Sequence, residues 1–446
     1  MPDIILISID SLRSDHLGCY GYHRNTSPAI DSMASRGVLF SEAISNGGRT
    51  PDAFPSILAL GQPPMDNLWI ISQPGKTLAQ HLKEAGYQTA AFHSSPYLTR
   101  YYGYDQGFDN FNDSLGEYSF WKGRLLMRLV TKPRRIHNSN ALTRSLFKLV
   151  AKILIPFSFR VVRRPAITAE NITSQGLSWI KEHRESFFLW LHYTDVHHPY
   201  LPLLQYIRQF RDKPISRRMM ADLYRRMISN PKKLSHIDTT ALIDLYDAGI
   251  RYVDDNISRL LDSLGNRLED TIVIVTADHG DEFGEHGNFS HKSLYDGIIR
   301  IPLIISGPGM SSGYKVAQQV SLLDLPPTIS ELAGSDSTKL FRGESLLSAI
   351  NGEQGNAEGT VSVYNRLDLG RRLASFRTPR WKYIRTEIMK DSGTALSEEI
   401  YNLKSDPREK CNIHASVDKE VEAFKTRALA KITEYLYAGK QIIKIE

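Results

Sequence analysis

Short runs of aliphatic and β-branched residues alternate with longer stretches of helical spacing. Ile4 to Ile9, Gln88 to Phe92, Phe187 to His192, Thr271 to Val275 and Pro302 to Ser306 each have the length and bulk of a buried strand. Ala166 to His183 and Leu242 to Leu264 repeat apolar residues at helical intervals. This alternation predicts an α/β fold with a mainly parallel central sheet sandwiched by helices. The pattern changes after Ile350. Residues 351–356 (NGEQGN) form a polar, glycine-containing connector. Beyond it, Thr360 to Tyr364, Leu373 to Phe376 and Trp381 to Thr386 read as short strands, and Asp418 to Leu436 as a closing helix. The expected division is a large domain over 1–350 and a small α+β subdomain over 351–446. No internal repeat or low-complexity tract interrupts either part.

Two strands run directly into chemistry. The strand from Asp3 ends at Asp10, and the strand from Thr271 ends at Asp278-His279-Gly280. Open α/β sheets place their ligands at the carboxyl ends of strands. Carboxylate and imidazole donors there suit a divalent metal. Between them in sequence, Thr50 follows Gly47-Gly48-Arg49 and precedes Ser56 to Leu60, which opens like a helix. Two strand-end acids, a histidine and a hydroxyl make a metal-activated nucleophile constellation. The bland alternative for the 278–287 segment is a solvated polar loop.

The same residues carry a family resemblance. Asp10, Leu12-Arg13, Asp15-His16-Leu17-Gly18 and Tyr20-Gly21 come first, followed by the block around Thr50, then Gly86-Tyr87 and Gly107-Phe108-Asp109. Further on are His197 to Tyr200, Asp278-His279-Gly280, Lys292, Tyr295-Asp296, Arg300 to Pro302, Asp324 to Thr328 and Trp381 to Tyr383. In this order the blocks resemble the sulfatase family of the alkaline phosphatase superfamily, over most of the chain except roughly 115–168. That family's C-terminal region is a small antiparallel sheet with a helix. Three positions depart from its pattern. Thr50 stands where sulfatases carry the Cys or Ser that becomes formylglycine, and the methyl group on its Cβ forbids that aldehyde. Ser11 replaces the usual second acid, and residues 91–96 (AFHSSP) replace the usual Gly-Lys-x-His block. The Gly-Arg-Thr50-Pro-Asp-Ala-Phe pattern is similar to the threonine block of phosphoglycerol transferases of the lipoteichoic acid synthase type.

The resemblance implies that Asp10, Asp278 and His279 bind one divalent metal, with Thr50 as both ligand and nucleophile. Single-metal relatives with Asp-His here favour Mn²⁺ and leave Ca²⁺, Mg²⁺ and Zn²⁺ open. Arg49 is placed to neutralise the substrate anion, His197 to protonate the leaving oxygen, and Lys292 to hold the transferred group. The substrate class is an anionic ester. Threonine chemistry favours phosphate or phosphonate, because a sulfated threonine lacks the hemiacetal route of release, while the family keeps sulfate in play. The alternatives are a headgroup phosphotransferase acting on a lipid-linked substrate and a non-catalytic scaffold. His198, His286 and His291 read as structural, Asp52 as a helix cap, and Asp281, Glu282 and Glu285 as ordinary loop or first-turn acids.

Composition adds one feature. Residues 121–165 hold twelve Lys or Arg and no acid, although the whole chain is only +6, so the basic excess is local. These cations are interleaved with Leu, Ile and Phe, which predicts an interfacial amphipathic segment in peripheral contact with an anionic membrane. A lid over the site is the competing reading. Nucleic acid is not expected, since aliphatic residues stand where stacking aromatics would be needed. Cys19 and Cys411 are read as free thiols. A strand begins within three residues of Met1, and no apolar run reaches about 18 residues. The expected location is therefore cytoplasmic, at or near the inner membrane face.

Overall fold

The computed structural model describes residues 1–59, 77–114, 167–335, 341–353, 358–390 and 393–441. The basic-apolar segment 121–165 lies outside the described residues, as does all but the end of the 115–168 insertion.

A nine-stranded sheet forms the centre of the large part. Its strands are β1 (Asp3–Ile9), β2 (Val38–Ile44), β3 (Gln88–His93), β4 (Asn110–Asn112), β5 (Phe187–Tyr193), β6 (Thr271–Ala277), β9 (Arg300–Ile301), β10 (Leu303–Ser306) and β11 (Tyr314–Ser321). Between β6 and β9, β7 (Glu282–Phe283) and β8 (Phe289–Ser290) form a separate two-stranded hairpin. The order across the sheet is β11-β2-β10-β6-β1-β5-β3-β4, with β9 alongside β2. Pairing is parallel from β6 through β1, β5 and β3 to β4, and again between β11 and β2. Only β10 and β9 run antiparallel to their neighbours. The sheet is therefore mainly parallel, with helices on its faces.

β1, β5 and β6 are buried along their whole length, as expected of strands covered on both faces. Their registers decide the site. Ile9 pairs with Ala277 on one side and Tyr193 on the other. Asp10 and Asp278 therefore emerge side by side at the carboxyl ends of the central strands, with the end of β5 next to them. The helix His236–Leu264 begins six residues before the apolar spacing suggested, because Ser235 and Asp238 close a capping box at its start. The helix Ala169–Glu182 is likewise capped by Thr168 and Asn171.

The C-terminal part is an antiparallel meander of β12 (Thr360–Arg366), β13 (Arg371–Arg377), β14 (Trp381–Lys390) and β15 (Gly393–Asn402). The helix Lys419–Gln441 packs Val421, Phe424, Ala428 and Ile432 onto Val361, Phe376, Tyr383 and Ile400. β12 also reaches into the large part. Gly48 N–H donates to Val363 O at 2.9 Å, and Val363 N–H donates to Asn46 O at 3.0 Å. The loop before Thr50 is thus held against the second sheet by a single parallel bridge between Gly47 and Val363. Gly47 is needed there, since a Cβ would lie 2.3 Å from the Asp52 carbonyl carbon.

Candidate active site

Asp10, Asp278 and His279 meet as expected. One donor atom from each lies within 4.8 Å of the others, and all three residues are buried. His279 Nε2 is 3.6 Å from both Asp10 Oδ1 and Asp278 Oδ2. His279 Nδ1–H donates to Gly280 O at 3.0 Å, which leaves Nε2 with its lone pair. Asp278 Oδ1 is satisfied by the N–H groups of Ser11 at 3.3 Å and His279 at 2.9 Å. Asp278 Oδ2 is buried and accepts no hydrogen bond. Burial and the neighbouring Asp278 push the Asp10 carboxyl well above its ordinary 3.8. Two carboxylates and an imidazole with an orphaned oxygen between them fit a divalent cation.

Thr50 stands beside this cluster at the first turn of the short helix Thr50–Ala53, with Oγ1 3.4 Å from His279 Nε2. Two contacts tie the loop before Thr50 to the strand-end loop and to the second sheet. Ser45 donates to Asp278 O at 2.5 Å, and Ser362 donates to Ser45 O at 2.6 Å. Gly280 allows the return of the chain after His279, because a Cβ there would meet Gly297 O at 2.3 Å.

Arg49 lines the same cleft of about 360 Å³ as Asp10, Thr50 and His197. Its guanidinium pairs with Asp52 at 2.9 Å, donates to Asn365 O and stacks 5.1 Å from the Tyr364 ring. Asp52 is therefore a buried partner of Arg49 that also accepts Asn365 N–H, rather than a helix cap. His197 follows β5, with Nδ1–H donating to His198 O. Lys292 is half-buried. Burial first, then Arg371 and Arg366, hold its ammonium below the ordinary 10.5. Arg366 lines the cleft from the end of β12, so the C-terminal sheet supplies a cation to it.

Around this cluster the structure adds His192, which the sequence reading did not single out, and places residues it had read as structural or as loop acids. His192 is the penultimate residue of β5, inside an apolar run, and its Nε2 is buried, without a hydrogen-bond partner and 4.0 Å from Asp10 Oδ2. Burial brings it down to about 4. Asp281 and Glu282 are buried, not loop-surface acids. Asp281 accepts from Tyr200 OH at 2.6 Å and from His291 Nδ1–H at 2.8 Å. His198 and His291 join His197 in one group. His286, read as structural, pairs with Glu282 at 2.7 Å and stacks on Tyr295.

Comparison with known proteins fits this geometry. The sulfatase family profile matches residues 2–335, and a profile for the C-terminal region of N-sulphoglucosamine sulphohydrolase matches 284–435. The uncharacterized sulfatase YidJ of Escherichia coli is 23% identical over 442 residues, covering 92% of this chain and 83% of the relative. Choline-sulfatase of Rhizobium meliloti is 31% identical over 173 residues, which are 38% of this chain and 32% of that protein. Among solved structures, the phosphonate monoester hydrolase of Agrobacterium radiobacter superposes with a TM-score of 0.69 at 20% identity, covering 98% of this chain and 96% of that one. BT4656, solved with its substrate D-glucosamine-2-N,6-O-disulfate, gives 0.73 at 19% identity over the full length of both chains. The chain belongs to the sulfatase family, and with it to the ester hydrolases of the alkaline phosphatase superfamily.

Proposed function

We propose that the protein hydrolyses an anionic ester through Thr50 rather than formylglycine, with a phosphate or phosphonate ester preferred and a sulfate ester as the family's alternative. The observation that carries this reading is Thr50 Oγ1 beside His279 Nε2, at the edge of the Asp10–Asp278–His279 cluster. A divalent ion held by Asp10, Asp278 and His279, with Mn²⁺ favoured, would lower the pKa of the Thr50 hydroxyl and screen the oxygens of the transferred group. Thr50 gives its hydroxyl proton to solvent as Oγ1 bonds to phosphorus and the ester oxygen leaves, and that oxygen takes a proton from Nε2 of protonated His197, whose Nδ1–H stays on His198 O. Water then attacks phosphorus and releases Thr50. Arg49 and Lys292 hold the non-bridging oxygens, so positioning and electrostatics supply most of the acceleration. The names of two structural neighbours, a phosphonate monoester hydrolase and an enzyme bound to a disulfated sugar, support both ester classes for this fold.

The test is a paired assay on aryl phosphodiester, phosphate monoester, phosphonate monoester and sulfate. Metal-stripped protein is refilled with Mn²⁺, Ca²⁺, Mg²⁺ or Zn²⁺. The expected result is metal-dependent turnover of a phosphorus ester that disappears in Thr50→Ala. Sulfate turnover alone would overturn the phosphorus preference, and turnover retained in Thr50→Ala would overturn the nucleophile. Adding an alcohol acceptor separates hydrolysis from headgroup transfer. The expectation of membrane contact through 121–165 stays a proposal, tested by liposome flotation with and without that segment. Among the described residues no helix is long and apolar enough to cross a membrane.

A further inference from the structure

We propose that the helix Arg217–Ser229 and the start of the helix His236–Leu264 form a docking surface for an anionic lipid bilayer, separate from segment 121–165. The two helices border a groove of about 990 Å³ lined by Ile215, Met219, Ile228, Ile237 and Ala241. The helix Arg217–Ser229 already has a core face, since Met220, Leu223 and Met227 are buried at helical spacing. Met219 lies outside that stripe and is 52% exposed, and Ile237, in the first turn of the next helix, is 75% exposed. Apolar residues scattered singly on a surface need no explanation, but two on one apolar groove mark an interaction surface. Charge says what covers it. Residues 208–238 hold nine Lys or Arg and three Asp. Asp222 and Asp238 are already taken by Arg225 and Arg226, with Arg226 2.7 Å from Asp238. Lys213, Arg217, Arg218, Lys232 and Lys233 are exposed, and none of them forms an ion pair with a described residue.

The occupant therefore carries negative charge, which counts against two occupants closer to hand. Residues 121–165 hold twelve cations and no acid, so like charge opposes their seating on this groove. A second copy would bring the same cations face to face across a two-fold axis. A nucleic acid matches the cations but leaves Met219 and Ile237 in water. An anionic bilayer meets both features: its headgroups face the Lys and Arg side chains, and the two apolar side chains enter the acyl boundary. The groove shares a wall with the active cleft. Tyr224 lines the groove, and its ring centroid is 5.7 Å from that of His198, which lines the cleft. Docking here brings the cleft close to the lipid surface, whichever ester Thr50 attacks.

The test is co-sedimentation of the full chain with vesicles of phosphatidylcholine alone or mixed with phosphatidylglycerol. Binding to the mixed vesicles only, weakened by salt, is expected. Arg217→Glu combined with Arg218→Glu should lower it by at least about tenfold. Met219→Ser combined with Ile237→Ser should lower it by about tenfold. All four positions are exposed, and glutamate at a helix start suits the helix dipole. Both paired variants should therefore keep the circular dichroism, Tm and soluble-ester turnover of the parent. Parent-level binding by either pair overturns the docking surface, even if removal of 121–165 abolishes binding. No binding of the intact chain to mixed vesicles, or capture of poly-glutamate or duplex DNA in their place, overturns the lipid occupant.

Discussion

Two clusters of buried charge in this chain are built on opposite terms. At the carboxyl ends of the central strands, Asp10 and Asp278 face each other with only imidazole between them, and Asp278 Oδ2 accepts no hydrogen bond. Between the two sheets, Asp296 is held by Arg377 at 2.8 Å and Lys382 at 2.9 Å. Lys382 also reaches Glu409 at 2.7 Å, and Arg377 reaches Glu42 at 2.7 Å. Burial raises the Asp296 carboxyl, but Arg377 and Lys382 outweigh it and leave it far below the usual carboxylate range. The compensated cluster locks the C-terminal sheet onto the domain that carries Thr50. The uncompensated one lacks a cation, and under the proposed function a divalent ion would supply the missing partner. Buried acids paired with cations hold the two sheets together here, and buried acids left without a cation are the feature on which the proposed site rests.

The sharpest break between the two is Thr50→Ala. It should lower turnover by at least about 10⁴-fold, because the attacking oxygen is removed. Unfolding in urea should change little. A stability loss as large as the activity loss would show that Thr50 serves the fold instead.

Lys382→Met should do the reverse. Lys382 is fully buried, and its loss leaves Asp296 and Glu409 sharing a dry interface with Arg377 alone. A cost of about 3–5 kcal/mol is expected in chemical denaturation. Turnover per folded molecule should stay within a few-fold of the parent. A cost under about 1 kcal/mol would mean that the network adds no net stability.

Asp254 is an intermediate case, a buried acid paired with backbone instead of a cation. It accepts N–H groups from Ala29 and Ile30 at 2.9 Å each, at the start of the helix Pro28–Arg36. Burial still outweighs these bonds and raises it from 3.8 to about 7. The folded state therefore holds the proton more tightly than the unfolded state. Its contribution is complete below pH 4 and is lost as pH rises towards 7. Relative to the parent, Asp254→Asn should gain on the order of 2 kcal/mol between pH 5 and pH 8. A pH-independent difference between the two would refute the assignment.

What was legible in the sequence follows from the same contrast. Asp10 and Asp278 could be read because an unbroken apolar run stops at each, and Thr50 because glycine, cation and helix start surround it. β2 and β11 were not singled out, because Ser41-Glu42 and Gln318-Gln319 break their apolar character, and pairing with each other supplies what the residues lack. His192 was read only as the end of a buried strand, since nothing local distinguishes a core histidine from one whose neighbour across the register is Ser8. Asp281 was taken for a loop acid because the groups that enclose it, Tyr200 and His291, come from other loops. The grouping of His197, His198 and His291 likewise arises when the loop after β5 meets β8, whose separation in sequence hides it.

The smallest effect separates the two clusters most directly. Asp278→Asn removes one of two adjacent acids yet keeps its carbonyl oxygen available to the Ser11 and His279 N–H groups. In metal-free protein, relief of repulsion with Asp10 should raise stability by about 1 kcal/mol, as loss of a strained functional group often does. Mn²⁺ is expected to raise the Tm of the parent by an amount set by ligand concentration over Kd, and the same change should abolish that rise. At the compensated cluster, Asp296→Asn should do the opposite: it leaves Lys382 and Arg377 short of a counter-charge and lowers stability with or without Mn²⁺. If Asp278→Asn destabilised the metal-free chain as Asp296→Asn does, the strand-end acids would be structural, and the contrast on which the site assignment rests would fail.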